Sequence, residues 1–97
     1  MRFEWDEDKS QANIQKPGLD FADAPQMFAV PMLVILDNRE DYGEDRWFGI
    51  GTLKSHSVVV LFTESEDDVI RIISLRKALN YERTRYEEFL QDELGSD

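Results

Sequence analysis

Residues 32–74, MLVILDNREDYGEDRWFGIGTLKSHSVVVLFTESEDDVIRIIS, decide the architecture. Met32-Leu33-Val34-Ile35-Leu36 is a short apolar, β-branched run and reads as a strand buried on both faces. Arg46-Trp47-Phe48-Gly49-Ile50-Gly51, Ser57 to Thr63, and Val69 to Ser74 read as three more strands. An acidic loop from Asp37 to Asp45, containing Gly43, and turns at Leu53 to His56 and Glu64 to Asp68 separate them. Turns this short join antiparallel neighbours, because parallel strands need a crossover of roughly a dozen residues or more. The four strands are expected as a meander.

Working outward, Arg2-Phe3-Glu4-Trp5 alternates polar and aromatic residues and suits a short half-buried strand. Asp6 stands where a helix N-cap belongs, and the helix is expected from Glu7 to about Lys16, where Pro17-Gly18 ends it. Asp20 is the next N-cap, before a short helix with Phe21, Ala24 and Phe28 on one face; Pro25 removes an internal hydrogen bond and predicts a kink or a 3₁₀ ending. On the C-terminal side, Leu75, Ala78, Leu79, Glu82, Tyr86, Phe89 and Leu90 fall near one helical face. A helix beginning near Leu75 is expected there, with a frayed tail over about 92–97. The fold class is α+β: an antiparallel β-sheet with two N-terminal helices and one C-terminal helix packed on it, all on one side.

The chain has 97 residues, no cysteine, 41% hydrophobic residues and a formal charge of −10. That length suits one domain spanning 1–97, whose folding removes roughly 60–65% of the unfolded surface from water. Two Trp, three Tyr and six Phe supply enough buriable area to disfavour disorder. Without cysteine there is no disulfide framework and no thiolate zinc site, which fits a reducing compartment. Val58 to Phe62 is far too short to span a membrane, and the start Met1-Arg2-Phe3-Glu4-Trp5-Asp6 lacks signal-peptide order, so a cytoplasmic protein is expected.

Metal and cofactor chemistry find little support. One histidine, His56, and the clusters Asp6-Glu7-Asp8, Asp37 to Asp45 and Glu66-Asp67-Asp68 show no metal-ligand spacing, and Gly49-Ile50-Gly51 is not followed by a phosphate-cradling turn into a helix. No metal and no cofactor are expected.

The acidity is uneven. Between Val69 and Tyr86 stand Arg71, Arg76, Lys77, Arg83 and Arg85 against Glu82 alone. Such a segment is either a solvated face or a surface for an anion. Arg71 alternates with Ile70 and Ile72, so it is opposite to them on the strand. It then either pairs with an acid such as Glu64 or Glu44, or faces an open sheet surface where its planar fork suits a phosphate.

Several segments, in this order and spacing, resemble one family: Phe3-Glu4-Trp5-Asp6 with Lys9 and Asn13; Lys16-Pro17-Gly18 with Phe21, Ala24 and Phe28; Glu44-Asp45-Arg46-Trp47 running to Ile50-Gly51; Thr63-Glu64; and Arg71-Ile72-Ile73-Ser74-Leu75-Arg76-Lys77-Ala78 with Glu82-Arg83 and Tyr86-Glu87. The chain resembles BrnT-type toxins of bacterial type II toxin–antitoxin systems. The resemblance implies a RelE-like fold and metal-independent cleavage of RNA, neutralised by a BrnA-type ribbon-helix-helix antitoxin through which alone the protein meets DNA. It also implies that Arg46, Arg71 and Arg76 hold phosphate. Lys54 and His56 lie in a turn the family does not fix; either is a candidate to move a proton. Lys77 and Arg83 are candidate RNA contacts. Two departures stand out. The family usually has Lys-His-Gly where this chain has Lys16-Pro17-Gly18, and often Thr-Glu-Arg where it has Thr63-Glu64-Ser65. The alternative is therefore a catalytically degenerate module that binds the antitoxin and co-regulates its operon.

Overall fold

The computed structural model describes residues 1–94, which form strand β1 (Arg2–Trp5), helix α1 (Glu7–Gln15), a 3₁₀ helix (Phe21–Ala29), strands β2 (Leu33–Asp37), β3 (Arg46–Leu53), β4 (His56–Glu64) and β5 (Val69–Lys77), and helix α2 (Asn80–Leu94). One five-stranded sheet has the order β1-β5-β4-β3-β2. The meander from β2 to β5 is antiparallel as expected, but β1 lies parallel to β5 with Glu4 opposite Arg71, so the sheet is mixed rather than antiparallel. Parallel placement is available because no turn joins β1 to β5: α1 and the 3₁₀ helix carry the chain across to β2 at the far edge, and the meander returns it to β5 beside β1.

The local signals act as their chemistry dictates. Asp6 accepts from the amides of Asp8 and Lys9 at 2.9 and 3.2 Å, capping α1, and Asp20 accepts from the Ala22 amide. Pro25 sits inside the second helix, and the whole of Phe21–Ala29 is 3₁₀ rather than only its end. Lys54 and Ser55 both take positive φ, +51° and +71°, in the two-residue turn of the β3–β4 hairpin.

Three expectations are corrected. The second strand is not buried on both faces: β2 is a sheet edge, and Val34 and Leu36 point outward, 44% and 43% exposed. The C-terminal helix begins at Asn80, because Leu75–Lys77 continues β5 against Val58 to Val60, and Leu79 is exposed. It is helical through Leu94, which takes in residues 92–94 of the expected tail, and residues 95–97 lie outside the described residues. The helices also do not share one side. Phe21, Ala24 and Met27 of the 3₁₀ helix cover one face with Leu53, Val58, Val60, Phe62, Ile70, Ile72 and Leu75, whereas Tyr86, Phe89 and Leu90 of α2 pack against Ile50, Val59 and Phe48 on the other. Both faces of the meander are apolar, and a sheet in water needs both covered.

A β-bulge positions the site. Leu61 pairs with Ser74 and Phe62 with Ile72, leaving Ile73 as an inserted residue. Strand side chains alternate, so an uninterrupted β5 puts Arg76 on the same face as Ile70 and Ile72, beneath the 3₁₀ helix. The bulge reverses the alternation: Leu75 joins that core and Arg76 turns to the α2 face.

Asn13 links the N-terminal layer to this strand, its side-chain amide donating to the carbonyls of Leu19 and Leu75 at 2.7 and 3.0 Å. Asn13→Ala leaves both part-buried acceptors unmet and is expected to cost about 1–3 kcal/mol. Urea denaturation checks this: the midpoint falls with the slope unchanged.

Candidate functional site

On the α2 face a cleft of about 250 Å³ opens between the start of the β2–β3 loop and the first turns of α2. Phe48 and Ile50 of β3 and Ile35 of β2 line it with apolar surface. Its walls carry Arg39 from the loop, Arg76 from β5, and Tyr81, Glu82 and Arg85 from α2. The residues at 81, 82 and 85 come together because helix positions three and four apart share a side.

Two arginine–carboxylate forks shape the cleft. The Arg76 guanidinium donates through both terminal nitrogens to Glu82, 2.8 Å to each oxygen. Glu82 Oε1 also accepts from the Leu79 amide at 2.8 Å, satisfying a donor that the start of α2 leaves unmet. Opposite, Arg39 donates from Nε and a terminal nitrogen to Asp37, at 2.8 and 3.0 Å, and its guanidinium lies 4.8 Å above the Phe48 ring. The Asp37 side chain is fully covered, while Arg39 is 63% exposed and Arg76 41%. Each carboxylate thus stands behind its guanidinium. Each guanidinium has five N–H donors and is partly exposed, so donors remain beyond those taken by its carboxylate and, for Arg76, by the Lys77 carbonyl at 3.3 Å.

Charge follows this geometry. The hydrogen bonds from Arg76 hold the Glu82 carboxyl below its ordinary value, and those from Arg39 do the same for Asp37; both guanidiniums are raised in turn by the carboxylates they bind. All four groups stay charged at neutral pH. Arg85 adds a third guanidinium, leaving the cleft one positive charge in excess over its two carboxylates. Such an arrangement can attract an anion electrostatically, and no imidazole lines it.

The expected site residues do not all converge here. Of Arg46, Arg71 and Arg76, only Arg76 lines the cleft. Arg71 donates to Glu4 at 3.0 Å across the β1–β5 pair, so its acid partner is neither Glu64 nor Glu44, and it sits in another hollow that Glu4, Glu44 and Asp67 also line. Arg46 lies 4.0 Å above the Tyr42 ring with its Nε buried and unbonded. Lys54 is tied to Asp23 at 2.9 Å, holding the β3–β4 turn to the 3₁₀ helix. His56, Lys77 and Arg83 line a third hollow together, away from the cleft.

Conversely, sequence reasoning overlooked Arg39, Tyr81 and Arg85 as site residues. Arg39 was masked by the acids around it, yet an Asp two residues before an Arg at a strand end is a readable local fork. A hollow of about 650 Å³ lies within the 38–45 loop and is lined by Asp37, Glu40, Asp41, Glu44 and Asp45 against Arg39 alone, an acidic balance that repels phosphate. Among the described residues no three His, Cys, Asp or Glu side chains are grouped to hold a metal ion, and no helix is long and apolar enough to cross a membrane.

The model of the family of ribonuclease toxins termed BrnT, of type II toxin–antitoxin systems, matches residues 5–82. The chain belongs to the BrnT family. The crystal structure of the ribonuclease toxin BrnT of Brucella abortus is similar to it, with 32% identity over 82% of this chain and 99% of that one, at a TM-score of 0.67. No curated protein matches. Membership in the BrnT family implies an antitoxin partner, and the matched span runs from the last residue of β1 to the start of α2, including Arg39, Arg76, Tyr81 and Glu82. Arg85 lies just beyond it.

Proposed function

We propose that the chain is a metal-independent endoribonuclease whose active cleft is the one lined by Arg39, Arg76, Arg85 and Tyr81. The observation that carries this reading is the pair of carboxylate-backed forks: Arg76 and Arg39 are oriented by Glu82 and Asp37, line the same cleft and stay partly exposed with donors to spare. In metal-independent cleavage the 2′-oxygen of RNA attacks the adjacent phosphorus, its proton leaves, and the bond to the 5′-oxygen breaks as that oxygen gains a proton. The products are a 2′,3′-cyclic phosphate and a 5′-hydroxyl. Negative charge accumulates on the phosphoryl oxygens in the transition state, where preorganised guanidiniums stabilise it most. Tyr81, 63% exposed beside the cleft, offers an aromatic face on which a base stacks. With no imidazole in the cleft, catalysis rests on orientation and charge, and a slow enzyme is expected.

The partner is read as a BrnA-type ribbon-helix-helix antitoxin, within a RelE-like reading of the fold and a cytoplasmic setting. The acidic 38–45 loop beside the open edge of β2 suits a basic partner segment, and the −10 charge leaves DNA contact to the antitoxin. The second reading, an antitoxin-binding module without activity, draws on the same forks, since each guanidinium already has an acid partner. Purified protein incubated with RNA in excess EDTA separates the two. Fragments ending in 2′,3′-cyclic phosphate are expected; RNA left intact, while a stable antitoxin complex forms, favours the module.

A further inference from the structure

Arg76 and Lys77 are consecutive on β5 and therefore leave opposite faces of the sheet. Arg76 enters the cleft. Lys77 lines a hollow of about 130 Å³ with His56 from the start of β4 and Arg83 from α2. No carboxylate lines this hollow, whereas acids line the cleft and the Arg71 hollow. Among the described residues the Lys77 and His56 side chains engage no partner, and the Arg83 guanidinium meets only the neutral Asn80 side chain at 3.3 Å. In a chain with formal charge −10, three donors from three elements meet here with no carboxylate among the residues that line the hollow, which makes it locally positive.

We propose that this hollow binds a backbone phosphate of the RNA strand whose scissile phosphate occupies the cleft, with Lys77 and Arg83 as charged donors and His56 as a third. The proposal rests on the nuclease reading above. Arg83 is two residues from both Tyr81 and Arg85, about 200° around α2, so the helix separates the two sites. A strand leaving the cleft crosses the first turns of α2 and meets Lys77 and Arg83 on the far side. Cations spread along both flanks of one helix end suit a chain of evenly spaced phosphates better than a single acidic side chain.

His56 is the sole histidine of the chain, so its ring signals in NMR are unambiguous. The probe is a 2′-O-methylated RNA oligonucleotide, which binds without being cut. It is expected to shift the His56 ring signals saturably. Replacing both Lys77→Gln and Arg83→Gln is expected to weaken binding about tenfold and to lessen the dependence of log K on log salt by roughly 0.7 for each phosphate that is no longer neutralised. Both side chains are exposed, so the melting temperature stays that of the parent chain. Shifts at Tyr81 with His56 unmoved and parental affinity in the double variant overturn the proposal and leave the cleft standing. A saturable shift at His56 with RNA that is never cleaved supports the hollow and removes the nuclease reading. Binding at neither place ends both, and a His56 shift produced by purified antitoxin but not by RNA overturns the proposal in favour of a protein contact.

Discussion

Arg76→Ala is expected to lower the rate of RNA cleavage by about 10²–10³-fold, the usual consequence of removing one preorganised donor from a charge-stabilising site. Two effects combine. The fork that faces the phosphate is lost, and Glu82, only 11% exposed at its side chain, is left in the cleft as an unpaired negative charge that repels the substrate. Arg76→Lys is expected to recover only a small part of the rate, because an ammonium keeps the charge but cannot grip Glu82 with two parallel bonds while offering further donors in the same plane. Single-turnover cleavage of a defined RNA measures this, with melting temperature as the check on folding. Parental rates in both variants place the chemistry elsewhere. Arg71→Ala serves as the contrasting variant: its partner Glu4 is half-exposed, its hollow is separate, and a change below about threefold is expected.

The second large effect concerns stability. Glu82→Ala removes the acceptor of three hydrogen bonds, two from Arg76 and one from the Leu79 amide, and so detaches the first turn of α2 from β5. Charge-assisted bonds of this kind contribute about 1.5–3 kcal/mol each, but Arg76 is 41% exposed and solvent screens the pair. A net loss of about 2–3 kcal/mol is expected, or roughly 10 °C or more in melting temperature for a domain of this size. The effect is this large because α2 has little else to hold it. Its face of the sheet buries Ile50, Val59 and Tyr86, against ten buried core residues on the opposite face. The Tyr86 hydroxyl donates to the Pro31 carbonyl at 3.0 Å and supplies most of the remaining polar anchorage.

The same ion pair sets the acid limb of the stability curve. The Glu82 carboxyl lies below its ordinary value of 4.5 in the folded protein, so folding favours its ionised form. That stabilisation is complete above pH 4.5 and is lost as pH falls through the lowered folded value. Asp37, lowered by Arg39, acts in the same direction from 3.8 downward. Arg76 is raised by the same pair, so it stays charged throughout the acid and neutral range and adds no titration of its own to the acid limb. Glu82→Gln is therefore expected to flatten the decline that begins below pH 4.5, which urea titrations at successive pH values measure.

Much of this architecture is legible in local chemistry. Alternation or a β-branched apolar run marks each strand, Asp6 and Asp20 cap the helices they precede, and the spacing of Glu82, Tyr86, Phe89 and Leu90 marks the buried side of α2. These signals act over a few residues, and the physics that makes them is equally short in range. The cationic stretch from Arg71 to Arg85 is also plain in the sequence, as is the family it belongs to.

Which of those cations share a site is decided at longer range. Arg71 meets an acid 67 positions earlier, through a parallel pairing that no turn announces. Arg39 reaches the cleft from an acidic loop, turned by a covered carboxylate two residues before it. The side-chain period of a strand is two, so the single inserted residue Ile73 reverses everything after it, and Arg76 and Lys77 exchange faces. Composition and spacing specify the elements and the charges they carry. The facing of each charge depends on register and on which layer covers which side, and those are properties of the packed sheet as a whole.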